Sequence, residues 1–194
     1  MDLGRFYDSE WAEHIKVAEA GRSALAEPFA RLLRLSAEAI RAGNKLLLFG
    51  NGGSAADAQH LATELTVRYK RDRAPIAAIA LTTDSSALTA IGNDLSFDQL
   101  FARQLRALGR KGDVAIGIST SGRSANVLKA LETAREMGIV PAALSGGEGG
   151  ALPGLADPLL IVPSKTTARI QEMHIAVGQM LCGALELELG LVQP

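Results

Sequence analysis

One cysteine, Cys182, stands among 194 residues, so no disulfide can form within the chain. It sits in the apolar helical pattern "MLCGAL", where a buried small hydrophobe is expected rather than a reactive thiol. Long apolar runs are missing too: none approaches the roughly 20 residues needed to span a bilayer. The first residues, "MDLGRFYDSEWAEH", are acidic and amphipathic and do not read as a signal peptide. Nor is there an excess of charge. Lys and Arg total 20 against 21 Asp and Glu, for a net charge of −1, which removes the general attraction a nucleic-acid binder uses while leaving room for a local basic patch. A soluble cytoplasmic protein is expected, with neither membrane nor nucleic acid as a partner.

What is present is an ordinary globular composition, 47 % hydrophobic and 21 % charged, in a length that suits one domain with a real core. Residues 1–43 read as helices; in "FARLLRLSAEAIRAG", Phe29, Leu32, Leu33, Ser36 and Ile40 fall near one face, with Gly43 where a helix cap belongs. The period then changes. "KLLLFG" (45–50), "IAAIAL" (76–81), "DVAIGIS" (113–119), "VPAALS" (140–145) and "PLLIVP" (158–163) are short apolar runs of the kind buried on both faces of a sheet. Helical patterns lie between and after them, at 54–69, roughly 85–108, 124–137 and about 167–189. The alternation predicts an α/β fold of three layers, a parallel five-stranded sheet flanked by helices, with an N-terminal helical extension.

Two of the strands run into similar turns, which in open parallel sheets lie where ligands bind. In "GNGGSAADAQHLATE", Gly50, Gly52 and Gly53 allow close backbone approach, and Ser54 is expected to cap the helix that follows. In "STSGRSAN", the hydroxyls of Ser119, Thr120, Ser121 and Ser124 surround Gly122 at a helix start. Neutral donors at the positive end of a helix suit a phosphate monoester. Nucleotide readings fare worse. Residues 50–55 fit G-x-G-x-x-A, but no acidic residue ends the next strand at the expected distance, and neither turn carries the lysine of an NTP phosphate loop.

His60 and Glu64 are four apart on the first helix and so share a face. An imidazole and a carboxylate suit zinc, but two ligands are too few, and such a pair is also ordinary helix surface. The last helix, "ARIQEMHIAVGQML", offers Gln171, Glu172, His174 and Gln179; His174 is expected to face solvent or a neighbouring subunit.

Together "GNGGSAADAQHLATEL", "ALTTDSSALTAIGND", "GDVAIGISTSGRSANV" and "ARIQEMHI" resemble the phosphoheptose (sedoheptulose 7-phosphate) isomerases of the sugar-isomerase (SIS) domain superfamily, from about residue 45 to 190 in unbroken order. The resemblance implies conversion of sedoheptulose 7-phosphate to D-glycero-D-manno-heptose 7-phosphate, the first step toward activated heptose for bacterial surface polysaccharides. It implies a homotetramer with sites between subunits, commonly holding zinc. The chain then divides into N-terminal helices (1–43) used in oligomer packing and a sugar-phosphate-binding core (44–190) within one SIS domain, 1–194. Carried over by motif, Asn51, Gly52, Gly53, Asn93 and Asp94 contact the sugar, and Ser119, Thr120, Ser121 and Ser124 hold the phosphate. His60, Glu64 and Gln171 fall on metal-ligand positions, and Glu64 is also the general base.

One position departs from that pattern. Where the family usually carries a histidine that ligates metal and takes part in proton transfer, this chain has Gln179. An amide ligates metal weakly and does not shuttle protons near neutral pH. On one regular helix Gln171 and Gln179 are about 12 Å apart along the axis, which favours a site assembled across a subunit interface. Two other readings stand beside the isomerase: a non-catalytic tetramer engaging the replication initiator, whose members lack the Glu64-type carboxylate, and an isomerase of another phosphosugar.

Overall fold

The computed structural model describes residues 1–193. Two helices open the chain, α1 (Leu3–Ala24) and α2 (Ala26–Arg41), followed by β1 (Leu46–Gly50), α3 (Gly53–Thr66), β2 (Ala78–Ala80) and α4 (Ser85–Asp94). A short 3₁₀ turn (Phe97–Gln99) leads to α5 (Leu100–Leu108), β3 (Val114–Ile118), α6 (Ala125–Glu136), β4 (Val140–Gly146), β5 (Leu159–Val162) and α7 (Thr167–Glu188). Every strand pair is parallel, in the order β2-β1-β3-β4-β5.

Continuous apolar strands need cover on both faces, and the alternation of side chains shows how they get it. Leu46 and Leu48 of β1, with Ile116 and Ile118 of β3, pack among Leu32, Leu61, Leu65, Leu181 and Leu185 from α2, α3 and α7. Their neighbours Leu47, Phe49 and Ala115 point the other way, against Leu100, Phe101, Leu105, Val127 and Leu131 from α5 and α6. The result is three layers with two cores, as the sequence pattern predicts. Burial of side chains of this size contributes about 1.5–3 kcal/mol each.

The expected helix at 85–108 is broken. Its polar joint explains why: Leu95 ends α4, Ser96 is extended (φ −169°, ψ 160°), and a 3₁₀ turn re-enters as α5. Asn, Asp and Ser compete for local hydrogen bonds and favour such joints over helix interiors.

Strand order 2-1-3-4-5 places a topological switch point between β1 and β3. The chain leaves β1 through α3 on one face of the sheet and leaves β3 through α6 on the other. A crevice at the carboxyl ends of these two strands follows from connectivity alone.

Candidate active site

The turns after β1 and β3 are tied across that crevice by a reciprocal amide pair. Asn51 donates to Asn126 Oδ1 and Asn126 donates to Asn51 Oδ1, both at 2.9 Å. Asn126 is 2 % exposed, so this pair is a structural brace. Sequence reasoning missed it: the two asparagines are 75 residues apart, and only the internal echo between the two turns hinted that they face each other.

Ser54 is not the cap of α3. Gly52 holds that position with φ 57°, and the buried Ser54 turns its amide back onto the Asn51 carbonyl at 3.1 Å. The four expected phosphate hydroxyls also divide. Ser119 is buried and its Oγ lies 3.1 Å from Ser124 Oγ, whereas Thr120 and Ser121 line an open cleft of about 540 Å³. The amides of Thr120 and Ser121 have no acceptor among the described residues. Arg123, Glu148, Ser164, Lys165 and Thr167 complete much of the wall, none of them foreseen from the sequence.

Behind the clamp runs a chain of hydrogen bonds. His174 Nε2 donates to the Ser145 carbonyl at 3.0 Å, and the Ser145 hydroxyl donates to the Ser119 carbonyl at 2.9 Å. His174 is thus not at the surface, as its sequence position had suggested, but 1 % exposed inside its own chain. Burial holds its imidazole below the ordinary histidine range, with the hydrogen bond to Ser145 opposing, and Nδ1 has no partner among the described residues. The neutral Nε2–H tautomer is the form that fits, since a carbonyl only accepts.

Helix α7 brings the remaining groups in from one side. Gln171 lies against the first turn: a β-carbon on Gly53 would sit 2.8 Å from its Nε2, so glycine there is what lets the amide approach. Two turns on, Gly178 meets the side chain of Leu61: a β-carbon there would sit 2.5 Å from Leu61 Cδ1, so glycine is what lets that side chain pack against α7. That close crossing sets Gln179 Nε2 3.2 Å from His60 Nε2, which is itself 3.2 Å from Glu64 Oε1. One ring nitrogen therefore faces two neighbours. Protonated, it donates to Glu64; unprotonated, it accepts from the Gln179 amide. Glu64 and His60 are partly exposed, at 21 % and 47 % of their side chains, and can reach a ligand.

Asp57, one turn before His60 on α3, has its carboxyl raised by burial, with His60 opposing. Asn93 and Asp94 do not join the cluster: they are exposed at the end of α4, and Asn93 donates to Asp94 at 2.7 Å. The expected zinc donors are one imidazole, one carboxylate and the Gln179 amide, with Gln171 held at the glycine turn. No group of three or more His, Cys, Asp or Glu side chains suited to a metal occurs among the described residues. Catalytic zinc takes three protein ligands, and this set supplies two strong ones, so the residues do not fit a resident zinc.

A doubly wound parallel sheet with glycine and hydroxyl turns at its switch point defines a protein of the SIS class, and the SIS domain model matches residues 11–146. Closer kinship is specific. The phosphoheptose isomerase of Paramagnetospirillum magneticum is 56 % identical over 96 % of this chain and 97 % of its own length. The solved phosphoheptose isomerase of Neisseria gonorrhoeae superposes with TM-score 0.89 at 45 % identity, covering 95 % of this chain and 99 % of that one. That of Francisella tularensis gives 0.93 at 35 % identity, over 96 % and 100 %. The chain belongs to the phosphoheptose isomerase family.

Proposed function

We propose that the chain interconverts sedoheptulose 7-phosphate and D-glycero-D-manno-heptose 7-phosphate. The observation that carries this is a partly exposed carboxylate, Glu64, held against His60 on the helix that leaves the glycine turn. In the ketose-to-aldose direction Glu64 takes a proton from C1. The bonding pair becomes the C1–C2 double bond, and the C2 carbonyl oxygen gains a proton to give the enediol. Return of the proton from Glu64 to C2, with loss of the O1 proton, yields the aldose. Gln179 cannot carry a proton, so His60, in contact with Glu64, is the group assigned to transfer between the oxygens. Thr120 and Ser121 grip the phosphate, and binding energy remote from C1 and C2 positions them for transfer. Gln171 and Asn51 are assigned to the sugar hydroxyls, with Asn93 and Asp94 reaching a site only from another subunit. No step is routed through zinc.

A homotetramer in the cytoplasm is the setting this reading implies. Phe6, Tyr7, Trp11 and Ile15 of α1 and Met180 of α7 are each at least half exposed, an apolar surface suited to packing against further copies. No helix of the described residues is long and apolar enough to cross a membrane.

The test is conversion of sedoheptulose 7-phosphate by chelator-treated protein, with and without added zinc. Wild type is expected to form the aldoheptose phosphate in both samples. Glu64→Gln is expected to lose turnover by about 10³-fold while still binding substrate, the scale of a lost general base. Full turnover in that variant removes Glu64 as the base, and activity in a monomeric preparation removes the shared site.

A further inference from the structure

Hydroxyls and amides make a neutral clamp, yet two cations stand at its mouth. Arg123 follows Gly122 in the β3–α6 turn, and Lys165 lies between β5 and α7. Both line the cleft that Thr120 and Ser121 enter. Neither side chain makes a hydrogen bond or ion pair among the described residues. Glu148 lines the same cleft and opposes them with a single negative charge. Two unpaired cations against one carboxylate leave the mouth net positive, at the N-terminal end of α6, where the helix dipole adds in the same sense.

We infer that Arg123 and Lys165 are specificity-determining residues that select the phosphate group as its dianion and draw it onto the hydroxyl clamp. This rests on the phosphosugar reading of the cleft. Neutral donors distinguish weakly between a monoanion and a dianion, whereas cations gain in proportion to the charge they meet. A phosphate monoester takes up its second proton near pH 6, so the preference has a titration of its own. Because both cations are exposed, their pull is screened by salt.

The experiment compares wild type with Arg123→Gln/Lys165→Gln and with Glu148→Gln, on two readouts. One is KM and kcat for sedoheptulose 7-phosphate at low and high salt and across pH 5.5–8. The other is binding of inorganic phosphate alone, which needs no turnover. The double variant is expected to raise KM about tenfold at low salt, with the loss on KM rather than kcat. Its phosphate affinity falls by a like factor. Its KM loses the salt dependence of wild type and no longer climbs as steeply below pH 6. Glu148→Gln moves KM and phosphate affinity the opposite way, by about twofold. Unchanged phosphate affinity and unchanged salt dependence in the double variant overturn the inference. If wild type fails to turn over the heptulose phosphate, the function falls, and the phosphate readout still decides the role of the two cations.

Discussion

Two carboxylates of one fold meet opposite surroundings. At the amino ends of the strands, Asp113 is fully buried. It accepts from the Lys45 amide at 3.0 Å, Lys45 Nζ at 2.7 Å and the Arg110 amide at 2.8 Å. Near the C-terminal end of α3, Glu64 stays partly exposed and shares one contested imidazole nitrogen with Gln179. The first has every near need met and holds the fold; the second keeps spare capacity and can act on a ligand. Satisfaction, more than residue type, separates structure from function here.

Two substitutions put that contrast to its hardest test. Asp113→Asn is expected to cost about 3 kcal/mol of stability by stranding Lys45, and to leave kcat of the folded fraction near wild type. Glu64→Gln should do the reverse, with urea unfolding midpoints and single-turnover rates as the paired measurements. A stability loss at Glu64 matching that at Asp113 breaks the contrast. A smaller effect is expected at the amide brace. Asn126→Leu leaves Asn51 without its partner, at a cost of about 1–3 kcal/mol, and KM for the sugar phosphate should rise as the first turn loses its tie. The smallest effect concerns His174. Its folded pKa lies below the ordinary value, so as pH falls through about 6.5 the unfolded chain takes up a proton that the folded chain does not. Stability is therefore expected to be fully present above that range and to decline on acidification. In His174→Gln the decline between pH 7.5 and pH 5 should be shallower, read from denaturant midpoints.

Much of the fold was legible because its signals are local. Short apolar runs, turn residues and Gly43 are written in consecutive letters; four of the five runs contain an observed strand whole, and β4 overruns the fifth by one residue, Gly146. The break after Asp94 was not, because an apolar period carries on across "NDLSF" while the polar side chains there bond locally. At the site, His60 and Glu64 could be paired from spacing along one helix. Asn126, Ser145, Arg123 and Lys165 could not: their partners and cleft neighbours are brought together by strand order, across tens of residues. His174 misled for a related reason, since a polar residue on a helix reads as surface until a carbonyl inside the chain is found to receive it.

One feature of α7 reaches beyond chemistry. A single unbroken helix carries Gln171 to the glycine turn and Gln179 to His60. Deleting one residue between them would swing Gln179 through about 100° and draw it back about 1.5 Å, off its imidazole. The residue count of this segment is thereby fixed by two contacts at once, one at each of its ends.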